Sequence, residues 1–341
     1  MAHEIESTDT LVLNSNQPAW HGMGIVLNQD LSPQEACKLA FPWQADQQDV
    51  FTLNPAGVYE PILGHKMNVR SDNGQRLGLV SSDYKIIQPK DVADFASALA
   101  ADSSVKVQVE TAGSIQGGKR MWILLKGDAF DVANNDTIFP YVLLSNGFDG
   151  SSSFRITPTT IRAVCSNTLH ASIPRVDLGE LGKSAIVIRH TADALNRVEE
   201  ARKALAGYSM AIEKTKQVMG LLSSKGVTKE QVNQFFIDSY TEDFGGIPAN
   251  PQNKAEERQR DRATSAYRSF SKRFDDERVL AGSTWWNVAN SYSGLIQHDM
   301  KARGANDQAR VEKRVESNLF GLNADRTHAA FSRAFRGAIS G

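Results

Sequence analysis

The sequence predicts an α+β fold: a mostly antiparallel sheet with one or two helices, followed by a helical domain that contains a long heptad-like helix. Three observations predict it. Short runs of β-type residues dominate before residue 190, one helical pattern interrupts them, and nearly every segment after residue 190 has helical periodicity. We therefore expect an N-terminal segment at 1–49, an α+β domain at 50–190 and a helical domain at 191–341.

The β-type runs pair naturally into hairpins. The turn sequence SDNG separates the first two runs, and QGGK separates the next two, of which the first alternates with period two. In a further run, Pro140 predicts an edge or a bulge, because proline has no N–H to donate to a neighbouring strand. The predicted strands are 62–70, 76–82, 105–115, 120–127 and 137–147.

The helical predictions rest on apolar spacing and on capping residues. Residues 89–102 follow the pattern of a helix that begins after Pro89, with Asp91 as its cap. In the second half, apolar residues recur every three or four positions from Val198 to Leu222, which predicts one long helix opening at Thr191 that could pair with another protomer or pack on the later helices of its own chain. Further helices are predicted at 227–240, 254–278 and 283–302, a loop at 241–253, and two more helices that are interrupted near Gly321.

Composition restricts the class of protein. The chain has 341 residues, of which 41% are hydrophobic and 23% charged, as in ordinary globular proteins. No apolar run approaches the roughly 20 residues that span a bilayer. The start MAHEIESTDT is unlike a secretory signal, and the cysteines Cys37 and Cys165 give no disulfide framework. We therefore expect a protein of the bacterial cytoplasm with no membrane association.

Charge is distributed unevenly along the chain. Residues 1–150 contain 10 basic and 18 acidic side chains, whereas residues 251–341 contain 16 basic and 11 acidic ones, and the whole chain carries −1. The basic second half favours an anionic partner. Solvent-exposed helix faces with alternating charges would give the same counts, so that alternative stays open.

The reactive side chains form no recognised catalytic or metal-binding motif. Cys165 and His170 are five residues apart, which separates them by about 140° on a helix and places them on opposite faces of a strand. The seven histidines show no metal-ligand spacing, and the glycine-rich phosphate motifs are absent. We assign no catalytic residue, no metal and no cofactor. An enzyme would require two of His21, Cys165 and His170 to meet in one pocket.

The stretch from Phe154 to Ser172 predicts a surface that binds a phosphodiester backbone. Arg155 and Arg162 lie there among serine, threonine and asparagine residues, and these groups are the usual phosphate ligands. Aromatic rings nearby could stack on bases, as single-strand-binding proteins require. The predicted nucleic-acid-binding residues are Lys119, Arg120, Arg155, Arg162, Arg175 and Arg189, which would hold phosphates, and Phe148 and Phe154, which would stack on bases. A surface strand with polar side chains is the alternative.

An ordered set of motifs gives the sequence a resemblance to a known family. The segments AWHGMG, LGLVSSDYKIIQPKDVADF, VETAGSIQGGKRMWILL, IRAVCSNTL and IVIRHTADALNRVEEARKAL occur in that order between residues 18 and 205. Together they resemble a phage- and plasmid-associated family, domain of unknown function 932. The resemblance implies a mobile-element origin and a cytoplasmic protein, and it implies no reaction.

These observations lead to two functional hypotheses. The first is a DNA-binding protein of a phage or plasmid, which binds or anneals single-stranded DNA in recombination or replication, needs no cofactor and forms a homo-oligomer. The arrangement of a hairpin-rich sheet followed by a basic helical region is broadly similar to that of single-strand-annealing proteins. The alternative is a protein-interaction or host-takeover factor without DNA binding, in which the helical seam and the aromatic helix at 284–296 would contact a partner.

Overall fold

The structure is a computed structural model, and its residues group by their contacts into two compact units. The first unit comprises Met1–Asp128, Tyr141–Pro158 and Ala185–Ser209, and the second comprises Ala129–Pro140, Thr159–Ser184 and Met210–Gly341. The structure describes residues 11–13, 25–26, 31–101, 106–133, 136–162, 168–169, 186–196, 208–300, 310, 313–314, 317–318 and 321–340.

The predicted α+β class is confirmed. In the described part of the chain the strands are β1 Leu11–Leu13, β2 Ile25–Val26, β3 Ala45–Leu53, β4 Tyr59–Arg70, β5 Arg76–Ser81, β6 Val107–Ile115, β7 Arg120–Gly127, β8 Phe130–Ala133, β9 Asp136–Gly147, β10 Phe154–Arg162, β11 Thr168–Leu169 and β12 Ile186–Ile188. The helices are α1 Pro33–Ala40, α2 Pro89–Ala100, α3 Tyr208–Ser224, α4 Lys229–Phe244, α5 Lys254–Ala281, α6 Trp285–Gly294 and α7 Leu322–Ser340. A π-helical turn, Leu295–Asp299, directly follows α6.

The strands form two sheets. The larger has the order β11-β10-β9-β7-β6-β1-β2, with β12 also paired to β10 and β8 to β9, and the smaller has the order β3-β4-β5. The registered pairs are antiparallel except for β1 with β2. Both predicted hairpins are present, as β4–β5 and β6–β7.

Pro140 lies in an interior strand, which differs from the predicted edge or bulge. β9 pairs with β8 through Asp136–Ile138 and with β7 through Tyr141–Gly147, so Pro140 falls between the two registered segments. Because neither of these two ladders needs the N–H that proline lacks, Pro140 can occupy this position inside the sheet.

Local capping chemistry fixes where the helices begin. Ser32 starts α1 and Thr228 starts α4, each with a reciprocal capping box, and the Asn253 side chain accepts two N–H bonds at the start of α5. At α2 the cap residue is Gln88 and not the predicted Asp91. Asp91 occupies the third helical position, where its carboxylate accepts from the Gln88 N–H at 2.8 Å.

Helix α6 occupies the core of the second unit and is buried on every side. Its polar residues have internal partners: the Trp286 indole N–H donates to the Asp136 carboxylate at 2.7 Å, and the Tyr292 hydroxyl donates to Asp243 at 2.8 Å. Helices α4, α5 and α7 surround it with aromatic side chains. Of the predicted long helix, Tyr208–Ser224 is helical with Met219 and Leu222 buried, and 197–207 lies outside the described residues.

Candidate nucleic-acid interface

Strands β10 and β12 place two predicted arginines on one exposed surface of the first unit. Phe154 pairs with Ile188 and both are fully buried, whereas the next pair, Arg155 and Val187, faces outward. Arg189 follows Val187 by two residues and is exposed. Diagonal neighbours on adjacent strands lie roughly 7–8 Å apart, so the two guanidinium groups share one side of this strand pair.

A third cation, Lys85, joins them through a backbone contact that is remote in sequence. The Lys85 N–H donates to the His190 carbonyl at 3.1 Å, and His190 Nδ1 donates to the Lys85 carbonyl at 2.9 Å. This pairing brings exposed Lys85 beside Arg189. We call Lys85, Arg155 and Arg189 the cationic patch. None of the three forms an ion pair with a carboxylate in the part of the chain that the structure describes.

The ring of His190, the residue after Arg189, packs next to the patch against Tyr84. It stacks on Tyr84 with 4.5 Å between centroids and 17° between planes, and the Tyr84 hydroxyl donates to the Gly147 carbonyl at 2.8 Å. Burial lowers the pKa of His190 and raises the pKa of Tyr84. Both rings are therefore neutral at physiological pH. Their contacts fix the backbone from which Lys85 and Arg189 project.

A serine-rich turn lies between β9 and β10, directly before Arg155. Asp149 Oδ1 accepts from the Ser151 N–H at 2.9 Å and from the Ser151 hydroxyl at 2.7 Å, which directs this carboxylate toward the turn itself. The turn packs tightly on β5, since a Cβ at Gly78 would approach the Asp149 Cα to 2.4 Å. The Ser151 hydroxyl is thus committed to Asp149, and the cations lie beside a turn whose own carboxylate is hydrogen-bonded.

Lys119 and Arg120 lie at the turn between β6 and β7, and both are half-buried. The Lys119 carbonyl accepts from the Phe148 N–H at 2.8 Å, and Arg120 pairs across strands with Gly147. The backbone of these two residues therefore contacts the Gly147–Phe148 segment, in which the Gly147 carbonyl accepts a hydrogen bond from the Tyr84 hydroxyl.

Phe148 and Phe154 lie in the core and not at the surface. Both rings are 0% exposed. Phe148 packs edge-on against Trp43 with 5.4 Å between ring centroids, and Phe154 packs edge-on against Phe95 with 5.8 Å between ring centroids. The base-stacking role predicted for these rings does not fit this burial, because a base needs access to the face of a ring. For Phe154 the alternation of β10 explains the error, because it does not show whether Phe154 or Arg155 faces outward. Phe148 lies outside β10, and its stacking role was predicted only from its closeness in sequence to Arg155.

Several predicted residues lie outside the described residues or in strands without described side chains. The backbone of Arg162 belongs to β10, but its side chain is not described, and Arg175 lies outside the described residues. The same is true of His21, Cys165 and His170. Among the described residues, no group of three or more histidine, cysteine, aspartate or glutamate side chains could hold a metal ion.

A second surface of the first unit is apolar. At the far end of the β3–β4 hairpin, Phe51 pairs with Pro61 and Leu53 pairs with Tyr59, so these four side chains share one face, and Leu63 extends it by two residues. We call these five residues the apolar ribbon. Tyr59 is 74% and Leu63 84% exposed. The sequence alone did not reveal this surface, because a strand with alternating side chains does not show which face is covered.

Comparison with known proteins identifies a family but no activity. No curated protein and no solved structure matches the chain. Within the described residues, no helix combines the length and the apolar character needed to cross a membrane. The family described as Domain of unknown function (DUF932) matches residues 76–317, which is well over half of the chain and includes the cationic patch. The chain therefore belongs to the DUF932 family.

Proposed function

We propose that this chain binds DNA through the cationic patch and acts on single strands in the recombination or replication of a mobile element. The observation that carries the proposal is the convergence of Lys85, Arg155 and Arg189 on one exposed surface without carboxylate partners among the described residues. Cations that are not neutralised within the protein attract phosphates and release counterions when they bind them.

A single strand suits this surface better than a duplex. The patch lies on paired strands, and Ser153 directly precedes the buried Phe154 next to Arg155. Single-strand-binding modules hold the backbone along such a sheet surface, whereas the major groove of a duplex takes a helix or a ribbon that enters it. Contacts of this kind leave the bases exposed, as strand annealing requires.

The test is fluorescence anisotropy with a labelled single-stranded 40-mer and its duplex at low and moderate salt. We expect the single strand to bind more tightly, with an affinity that falls steeply as salt rises. The double variant R155A/R189A removes two phosphate contacts, so the slope of log affinity against log salt should fall by about 1.4.

A matched control removes two charges from elsewhere in the first unit. Lys38 and Lys90 are exposed on α1 and α2, and the double variant K38A/K90A should bind as the wild type does. Equal loss in both double variants would show that only net charge matters. Unchanged binding by a folded R155A/R189A protein would remove the cationic patch from the proposal.

The apolar ribbon favours a second candidate function, which is binding of another protein. Contiguous apolar patches that are exposed on a protein surface often mark sites of protein interaction. Self-association of the chain would remove the apolar surface of the ribbon from water, and it would agree with a strand-annealing role. A different protein on the ribbon would instead fit a protein-interaction or host-takeover factor.

A further inference from the structure

The second unit contains a cavity of about 740 Å³ that the proposed function does not use. It lies between the end of α4, the middle of α5 and the π-helical turn after α6. Its volume is in the range typical of small-molecule sites. Turns of π-helix are rare and occur frequently at functional sites, and here Leu295 and Asp299 of that turn line the cavity.

The charge inside the cavity is positive. Arg262 belongs to the lining and is exposed to solvent. Its Nε donates to the Arg258 carbonyl at 3.1 Å, and its guanidinium has no carboxylate partner among the described residues. The lining carboxylate, Asp299, is neutralised by Arg273, which donates to its two oxygens at 2.7 Å each. One uncompensated positive charge remains, so the cavity favours an anionic ligand.

A larger residue at Gly294 would displace the Arg273 side chain that holds Asp299. A Cβ at Gly294 would approach Arg273 Nη1 to 2.7 Å, so glycine at this position lets the guanidinium reach Asp299. Asp299 is thereby held in place on the cavity wall. Its oxygens can also accept hydrogen bonds from ligand hydroxyl groups, because each carboxylate oxygen has two lone pairs.

The remaining walls combine hydroxyl groups with aromatic rings. Ser265 and Ser269 lie one turn apart on the same helix as Arg262. The lining also contains two aromatic residues, Tyr240 and Phe244, whose ring centroids are 4.9 Å apart. A guanidinium with two hydroxyl groups is suited to a phosphate. The Phe244 ring is already contacted by Tyr240 and by the Arg326 guanidinium, whose carbon lies 4.1 Å from the ring centroid, so a planar heterocycle would pack on the apolar side chains of Leu295 and Met300 beside it.

We propose that this cavity binds a nucleoside monophosphate. Its phosphate would lie against Arg262, Ser265 and Ser269, its base against the apolar lining of Leu295 and Met300, and its sugar hydroxyls within reach of Asp299. The same chemistry could come from a free mononucleotide or from the phosphorylated end of a strand. All lining residues belong to the second unit, so the inference does not depend on the cationic patch.

The test is isothermal titration of the full chain with AMP, adenosine and inorganic phosphate. AMP should bind, and adenosine should bind about tenfold more weakly or less, because it lacks the charge that Arg262 recognises. The variant R262Q should weaken AMP binding by about tenfold or more, and S269A should weaken it to a smaller extent. Arg260 is exposed on the same helix outside the cavity, so R260Q is the matched control and should bind AMP as the wild type does.

Two further titrations separate the sources of the ligand and the two proposals. A 5′-phosphorylated tetranucleotide that binds in an R262Q-sensitive manner would identify the strand end as ligand, and binding of AMP alone would identify the free nucleotide. The R155A/R189A protein should retain AMP binding whatever happens to its DNA binding. No binding of AMP or of the tetranucleotide, or equal AMP binding by R262Q and wild type, would overturn the inference.

Discussion

At the scale of single residues, His190 connects the sheet to the cationic patch. Its Nδ1 donates to the Lys85 carbonyl, so the proton on this nitrogen is committed to a bond that positions Lys85. Burial lowers the pKa of the ring from its ordinary value of 6.5, while backbone carbonyls and Asp149 act in the opposite direction. The folded protein therefore prefers the neutral imidazole more than the unfolded chain does.

This preference predicts how stability changes with pH. Because the folded-state pKa of His190 is below its unfolded value, its contribution is complete above about pH 6.5 and is lost as the pH falls through the folded pKa. The free energy of unfolding of the wild type, from urea titrations at pH 7.5 and pH 5, should fall more than that of H190N. The exposed His65 supplies the control, H65N, which should follow the wild type. Parallel pH profiles for wild type and H190N would contradict the prediction.

At the scale of elements, β6 contains a bulge that turns a charged residue inward. The register with β7 shifts between Val109 and Thr111, and Glu110, between them, is buried. Its carboxylate lies 3.2 Å from Lys126 Nζ and accepts from the Tyr141 hydroxyl, and burial raises the pKa of Tyr141. A bulge of this kind re-aims a side chain, and here it creates an ion pair inside the sheet.

We expect removal of one partner of this pair to destabilise the first unit. E110A leaves the Lys126 ammonium and the Tyr141 hydroxyl without their acceptor, which should cost about 3 kcal/mol in the free energy of unfolding. Q108A, at an exposed position of the same strand, should cost less than about 0.5 kcal/mol. Urea unfolding of both variants measures the difference, and equal midpoints would show that the pair contributes nothing.

The same elements show how far local sequence patterns reach. Hairpins β4–β5 and β6–β7 and helices α2, α4 and α5 follow from turn residues, alternation and caps, all of which act within a few positions. The bulge at Glu110 was not predicted, because the run from Val107 alternates regularly in sequence. Strand β1 was also missed, since three residues acquire their structure only by pairing with remote β6.

At the scale of the whole molecule, the sequence predicted the class of the fold and two of the three patch residues. Arg155 and Arg189 were predicted because they occur in a recognisably basic stretch, whereas Lys85 was not. Lys85 reaches the patch through a contact with His190 across 105 positions, and no local pattern encodes such a contact. The burial of Phe148 and Phe154 is a similar case, because burial depends on which other elements cover a strand.

The apolar ribbon gives the last prediction, which concerns the assembled protein. Phe51, Leu53, Tyr59 and Leu63 are each more than half exposed, and together they leave on the order of 400 Å² of apolar surface in water. The opposite face of the hairpin carries the polar pair Thr52 and Glu60 beside the less exposed Ile62, so the ribbon is the more apolar of the two faces. Two copies placed face to face would bury roughly 800 Å² of apolar surface symmetrically, and further contacts around the ribbon would supply the rest of the roughly 1,200 Å² that a small specific interface buries.

We therefore expect the chain to form a homo-oligomer whose contact includes the ribbon. Light scattering coupled to gel filtration, over about a hundredfold range of concentration, should show the wild type associating and the F51S/L63S variant remaining monomeric. T52A alters the opposite face of the same hairpin and should associate as the wild type does. A wild type that is monomeric throughout would contradict self-association. The ribbon would then be left to bind a different protein, as the protein-interaction hypothesis requires. Association without any effect of F51S/L63S would place the contact elsewhere and leave the ribbon without this role.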